Sequence, residues 1–187
     1  MDVVRLPAIG PFLARKVGPA SGHGWPGGKK KPMRSTIADL LLPKDILLDI
    51  IVASKSELID EIGQHMEWVH GIARESVAVS LSDREEIGST ALGQGVAIPH
   101  ARVKELDRIQ VIYIRLKLPI PFDAPDGKPV SDIFVLLVPK HATEEHLKIL
   151  AEASEMFCDR HFREQLHFCK HPQEVKRVFE AWPESPS

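Results

Sequence analysis

Apolar positions follow two different periods along this chain, and the switches between them mark out its elements. A short apolar run over residues 37–42 stops at Pro43, which predicts one helical turn. Residues 46–52 are apolar at almost every position and predict a strand, largely buried. Ser54 and Glu57 have the spacing of a capping box. Leu58, Ile59, Ile62, Met66 and Val69 then recur at helical intervals. His65 and His70, on or near this helix, are expected to face solvent. A second helix is predicted over residues 74–86, with Val77 and Leu81 inward.

The apolar run over residues 96–98 is too short for a helix and reads as a small buried strand. Residues 109–116 form a β-branched strand. A proline-rich connection with an Asp126-Gly127 turn signal leads to a continuous apolar run over residues 130–139. Such a run suits a central strand covered by helices on both faces. Thr143 is a plausible N-cap that places His146 in the first turn of a helix, with Leu147, Leu150, Ala151 and Ser154 towards the core. Asp159 caps a short helix bearing Phe162, Leu166 and Cys169. Pro172 opens the last helix, with Val175, Val178, Phe179 and Trp182, and the chain frays over residues 183–187. The expected fold is α/β, a mixed β-sheet flanked by helices on both faces.

Length allows one domain with a full core, since the chain has 187 residues. Charge changes the picture at the N-terminus. Residues 1–34 carry seven Lys/Arg and one Asp, whereas the remainder carries seventeen and twenty-five. Glycine and proline interrupt every period in that basic stretch, and Lys29-Lys30-Lys31-Pro32 closes it. It cannot bury enough apolar surface to offset the entropy of ordering. Residues 1–35 are therefore expected to be a disordered basic extension, with Met33 a natural alternative start, and residues 36–183 the folded domain. A lysine run attracts nucleic-acid phosphates, but the plain extension is preferred and no nucleic-acid partner is expected. Pro7, Gly10 and Pro11 break any secretory apolar core. No apolar run approaches the roughly 20 residues of a membrane helix, so no stable membrane insertion is expected. Two cysteines, Cys158 and Cys169, do not make a disulfide framework and fit a reducing cytoplasm.

The candidate chemistry lies between Gly88 and Arg102. Gly88, Gly93 and Gly95 frame a run that ends Val96-Ala97-Ile98-Pro99-His100. Pro99 sets its own φ and biases Ile98 towards an extended conformation, so His100 leaves the strand end in a defined direction. A histidine beside glycine-rich backbone able to offer N–H groups to an anion points to phosphate chemistry. Arg84 precedes this loop; a surface ion pair to Glu85 or Glu86 competes with a role for its planar fork on phosphoryl oxygens. At a helix start, a neutral His146 could donate one hydrogen bond to such an oxygen. No Walker-type loop or kinase signature is present, so no nucleotide site and no cofactor are expected, and the phosphoryl donor should be another phosphoprotein.

The run GST-x-LG-x-G-VAIPH resembles the active-site signature of the enzyme IIA phosphocarriers of the phosphoenolpyruvate-dependent phosphotransferase system, fructose/mannitol class. The P-I-x-F-D-A element, the strand ending L-V-P and the H-L-x-x-L-A pattern fit as well, and the whole is most similar to the nitrogen-regulatory branch. The resemblance covers roughly residues 37–182. It implies the mannitol/fructose IIA fold, a phosphoryl group accepted on His100, and assistance from His146 and Arg84. Ser89, Thr90 and Gly95 would help to stabilise the transferring group. The implied donor is a histidine-containing phosphocarrier protein, and the implied targets are a sensor kinase, a potassium transporter or a metabolic enzyme. The alternatives are a regulatory binding module that works without phosphorylation, or the IIA component of a fructose/mannitol-type sugar uptake system. Ala91, Gln94 and Ala101 depart from the residues common in the family, and none removes a reacting group.

A zinc site is the rival from another class, because Cys158-x-x-His161 and His167-x-Cys169-x-His171 are rich in ligands. Helical spacing puts Cys158, Phe162, Leu166 and Cys169 on one face and His167 opposite, so both cysteines read as core residues. The spacing matches no standard zinc motif, and no metal ligand is assigned.

Overall fold

The computed structural model describes residues 36–141 and 145–182. Their elements, in chain order, are α1 (Thr36–Leu40), a 3-10 turn (Pro43–Asp45), β1 (Ile46–Ile50), α2 (Lys55–His70), α3 (Arg74–Ile87), β2 (Ala91–Gly93), β3 (Val96–Ala97), β4 (His100–Val103), β5 (Gln110–Ile120), β6 (Val130–Pro139), α4 (Glu145–Cys158), α5 (Arg160–Phe168) and α6 (Pro172–Ala181). All of these elements lie within Pro32–Ser187. The expected basic extension, the alternative start at Met33, the Thr143 cap and the frayed end lie outside the described residues.

β6 is the strand on which the sheet is built. β5 runs antiparallel to it and β1 parallel to β5. Along the other side of β6 lie β3 and β4, both parallel to it, and β2 returns antiparallel against β3. The result is one mixed six-stranded sheet.

Side chains alternate along β6, as the pleat requires. Phe134, Leu136 and Val138 pack with α1, α4, α5 and α6; Ile133, Val135 and Leu137 pack with α2 and α3. Helices therefore cover both faces, as the continuous apolar run of β6 implies. On the first face Tyr113, Phe134, Phe157, Phe162 and Phe179 form a cluster with ring centroids 5.1 to 6.3 Å apart. Arg115 on β5 is buried beside it. Its guanidinium donates to the carbonyls of Leu166 and Cys169 at 3.0 and 2.7 Å and pairs with Asp49. It thus covers the carbonyl end of α5, where a cation is favoured.

On the second face α2 starts at Ser54, whose hydroxyl accepts from Glu57 N at 3.1 Å. The Glu57 carboxylate accepts from Ala53 N at 2.7 Å, one residue earlier than the predicted box. α2 ends at Gly71, φ 70°, a left-handed cap that suits glycine. Where α2 and α3 cross, Gly63 lets them approach: a Cβ there would lie 2.7 Å from Arg74 O.

Four expectations need correction. β1 is half-buried and stops at Ile50, because it pairs only with β5 at a sheet edge and Ile51 turns out to solvent. The inward stripe of α4 is Ile149, Ala153, Met156 and Phe157, with Leu150 of the predicted stripe packed against the same core, whereas Leu147 is exposed. Apolar residues fall on both stripes, so their periodicity does not choose between them. Cys158 is exposed and Cys169 buried, because Asp159 breaks the helix and starts a new one. His65 and His70 do not face solvent: both ring Nε2 atoms reach the buried carboxylate of Asp45.

Candidate functional site

The site begins at the hairpin between β2 and β3. Gln94 and Gly95 have φ of 55° and 83°, the positive pair that a mirror-image two-residue turn demands. The Gly95 carbonyl accepts from Ser131 and Asp132 N–H, which ties the turn to the start of β6. Val96 then pairs with Asp132 and Ala97 with Ile133.

Pro99 has no N–H to give, and it divides β3 from β4. Its carbonyl still accepts from Leu136 N at 3.0 Å, while Ile98 N donates back to Thr90 O. His100 pairs with Leu136 and Ala101 with Leu137, so the register with β6 is unchanged across the break. His100 therefore does not leave a strand end; it opens the second half of the same strand line.

Two hydrogen bonds fix its imidazole. Nδ1 lies 2.9 Å from Ile98 O and Nε2 lies 3.1 Å from Arg84 Nε. A carbonyl only accepts and a guanidinium only donates, so Nδ1 carries the proton and Nε2 the lone pair. Burial holds the His100 pKa below the ordinary 6.5, and the charges of Arg84 and His146 act in the same sense. The bond to Ile98 O and the charge of Glu85 oppose them and lose. The ring is neutral near pH 7.

Arg84 reaches His100 from the last turn of α3, and its Nη1 donates to Gly88 O at 3.0 Å. That fork links the helix end, the loop and the histidine. His146 comes from the opposite direction, in the first turn of α4. α3 and α4 cover opposite faces of the sheet, and both reach a cleft at the β4 edge. The cleft holds about 400 Å³ and is lined by Ser80, Asp83, Arg84, Ile87 and Arg102 as well as His100 and His146. One neutral ring nitrogen whose lone pair meets Arg84, the guanidinium itself and a second imidazole can receive a small anion there.

The structure brings together His100, His146 and Arg84, but not Ser89, Thr90 and Gly95. The Ser89 hydroxyl donates to Phe122 O at 2.6 Å and the Thr90 hydroxyl to Glu85 Oε2 at 2.7 Å. Gly95 borders a separate cleft with Lys128 and Arg163. The two hydroxyls are thus taken by Phe122 and Glu85, and the Gly95 carbonyl by the start of β6, which ties the loop to its surroundings. Arg84 does not pair with Glu85 or Glu86 in the way a surface side chain would. Glu85 is instead nearly buried, accepting from Thr90 N and from Lys55 Nζ at 3.0 Å. Sequence reasoning missed Glu85, because nothing in the pair Glu85-Glu86 says which one turns inward.

Comparison with known proteins gives a consistent result. The family model described as "Phosphoenolpyruvate-dependent sugar phosphotransferase system, EIIA 2" matches residues 39–182. A nitrogen regulatory protein of Bradyrhizobium diazoefficiens is 35% identical over 147 residues, 79% of this chain and 96% of that protein. The crystal structure of the nitrogen regulatory protein IIA-Ntr from Neisseria meningitidis superposes with a TM-score of 0.73 at 42% identity, covering 76% of this chain and 98% of that one. The IIA mannitol structure from Escherichia coli shares the fold, with a TM-score of 0.62 at 20% identity over 73% of this chain and 96% of that one. Among the described residues no helix is long and apolar enough to cross a membrane.

Proposed function

Because the chain belongs to the EIIA 2 family of the phosphoenolpyruvate-dependent sugar phosphotransferase system, we propose that it is a phosphohistidine carrier of the nitrogen-regulatory type, with Nε2 of His100 as the acceptor. One observation carries this reading. Nδ1 of His100 is committed to Ile98 O, which turns the Nε2 lone pair into the cleft beside Arg84 and His146.

Phosphoryl transfer asks the protein mainly for aim and charge stabilisation. The donor is a histidine-containing phosphocarrier protein. The Nε2 lone pair attacks phosphorus as the donor's P–N bond breaks, and that electron pair returns to the donor's ring nitrogen. Nδ1–H stays on Ile98 O throughout, so no proton has to move. Arg84 shifts from Nε2 to the phosphoryl oxygens, and His146 offers a further N–H from the helix start. Ser89, Thr90 and Gly95 contribute to stabilisation through the loop that aims His100. The added charge of about −1.5 to −2 then alters which regulated partner the cleft rim fits. The presence of both histidines and the arginine favours this reading over a module that binds partners without phosphorylation.

Intact-mass spectrometry at alkaline pH, after incubation with phosphoenolpyruvate and the general phosphotransferase proteins, tests it. One acid-labile phosphoryl group is expected on the wild type, absent from His100→Ala and weakened in His146→Ala. An unmodified wild type beside a demonstrably active donor would leave the contact-only module.

A further inference from the structure

We propose that Asp45, His65 and His70 form a binding site for one first-row divalent cation, zinc foremost, on elements that carry none of the phosphoryl chemistry. The inference is independent of the carrier reading. It also departs from the sequence, which assigns no metal ligand and places both histidines at the surface.

Asp45 closes the 3-10 turn ahead of β1, and His65 and His70 lie on the last turns of α2. The three ligand atoms fall within 4.8 Å of one another. A single carboxylate oxygen, Oδ1, faces both rings: it lies 2.9 Å from His65 Nε2 and 2.6 Å from His70 Nε2. The two rings are inclined at 67° with centroids 6.1 Å apart, so their Nε2 edges converge on one point. All three side chains are at most 8% exposed.

Oδ2 of Asp45 is buried and has no hydrogen-bond partner among the described residues. A buried carboxylate with one oxygen doubly engaged and the other unpaired is costly to keep. Burial alone would push the Asp45 carboxyl up, but the bonds and charges of the two imidazoles hold it below the usual carboxylate range. A divalent cation bonded to this carboxylate would satisfy the oxygen that the two rings leave unpaired.

Two imidazole nitrogens and one carboxylate oxygen are a donor set that suits zinc, with water completing the coordination. Ligation requires each Nε2 to present its lone pair. The proton now held between Nε2 and Oδ1 moves to Nδ1 of the same ring, or is released where the ring is an imidazolium. The carboxylate then bonds the cation instead of two N–H groups.

The test uses the full chain, purified without an affinity tag and freed of metal by chelator, titrated with Zn²⁺ and separately with Co²⁺. One equivalent of Zn²⁺ is expected to bind, with a melting temperature that rises with free zinc. Co²⁺ should develop the intense visible absorption of a low-coordinate nitrogen/oxygen site. His65→Gln and His70→Gln should each weaken zinc at least tenfold and abolish the cobalt spectrum, with far-UV circular dichroism confirming the fold. The double variant His100→Ala/His146→Ala should keep both signals. Absence of stoichiometric binding overturns the proposal. So does binding that survives His65→Gln and His70→Gln but disappears from the double variant, which would put the metal in the phosphoryl cleft.

Discussion

Arg84 Nε donates to His100 Nε2 at 3.1 Å, so the lone pair proposed to receive phosphorus is covered by the cation proposed to stabilise it. The same guanidinium holds Gly88 O through Nη1. Removing it frees the lone pair yet takes away the positive charge. Loss of one such donor from a transferring oxyanion typically slows the step by on the order of 10²-fold. Arg84→Ala should therefore slow phosphoryl uptake by about that factor, with Arg84→Lys intermediate, as followed by quenched time courses and mass spectrometry. Unchanged uptake in Arg84→Ala would remove Arg84 from the chemistry.

The lowered His100 pKa has a definite pH signature. Only the neutral ring accepts phosphorus, so uptake should stay flat through pH 6.5 and fall only below it. For stability the folded value lies below the unfolded one. This group's contribution is fully present above about pH 6.5 and is lost as pH falls from there through the folded value. An NMR titration of the His100 ring should give a midpoint below 6.5, displaced upward in Arg84→Ala.

Gly63→Ala sets two effects against each other. Alanine is favoured over glycine in a helix interior by roughly 1 kcal/mol. The new Cβ would sit 2.7 Å from the Arg74 backbone carbonyl, which cannot swing away as a side-chain end can. Forcing α2 and α3 apart costs about 1–3 kcal/mol. A net loss of stability is expected in urea unfolding, and a gain would mean that the helices separate freely.

Arg115→Met tests the buried guanidinium. The methionine fills comparable volume but leaves the carbonyls of Leu166 and Cys169 without their donor. Hydrogen bonds from a charged group are worth about 1.5–3 kcal/mol each. A loss of at least about 2 kcal/mol is expected by chemical denaturation, and phosphoryl uptake should survive wherever the protein is folded.

The layers were legible because β6 is apolar on both faces and α2, α5 and α6 carry caps and helical stripes that point one way. Arg84 beside His100 was one of two readings of the sequence, the other a surface ion pair to Glu85 or Glu86, and only the fold chooses between them. Other features were not legible. α4 offers two adjacent apolar stripes, and only packing chooses between them. His65 and His70 look like surface residues until Asp45, twenty or more positions away, is brought against them. Glu85 turns inward because Thr90 and Lys55 meet it, and Ser89 turns to Phe122; both are contacts of the folded loop that no local pattern encodes.

The unbroken register across Pro99 makes the chain between Gly95 and His100 a ruler. Side chains there can be exchanged while the count of residues cannot. One residue added or removed would turn the imidazole to the opposite side of the pleat, out of the place where Arg84 and His146 now meet it. Two would restore the side but slide the ring about 6.6 Å along β6, beyond the arginine's reach. Any sequence that works as this protein does must keep that interval constant, even where almost every residue within it has drifted.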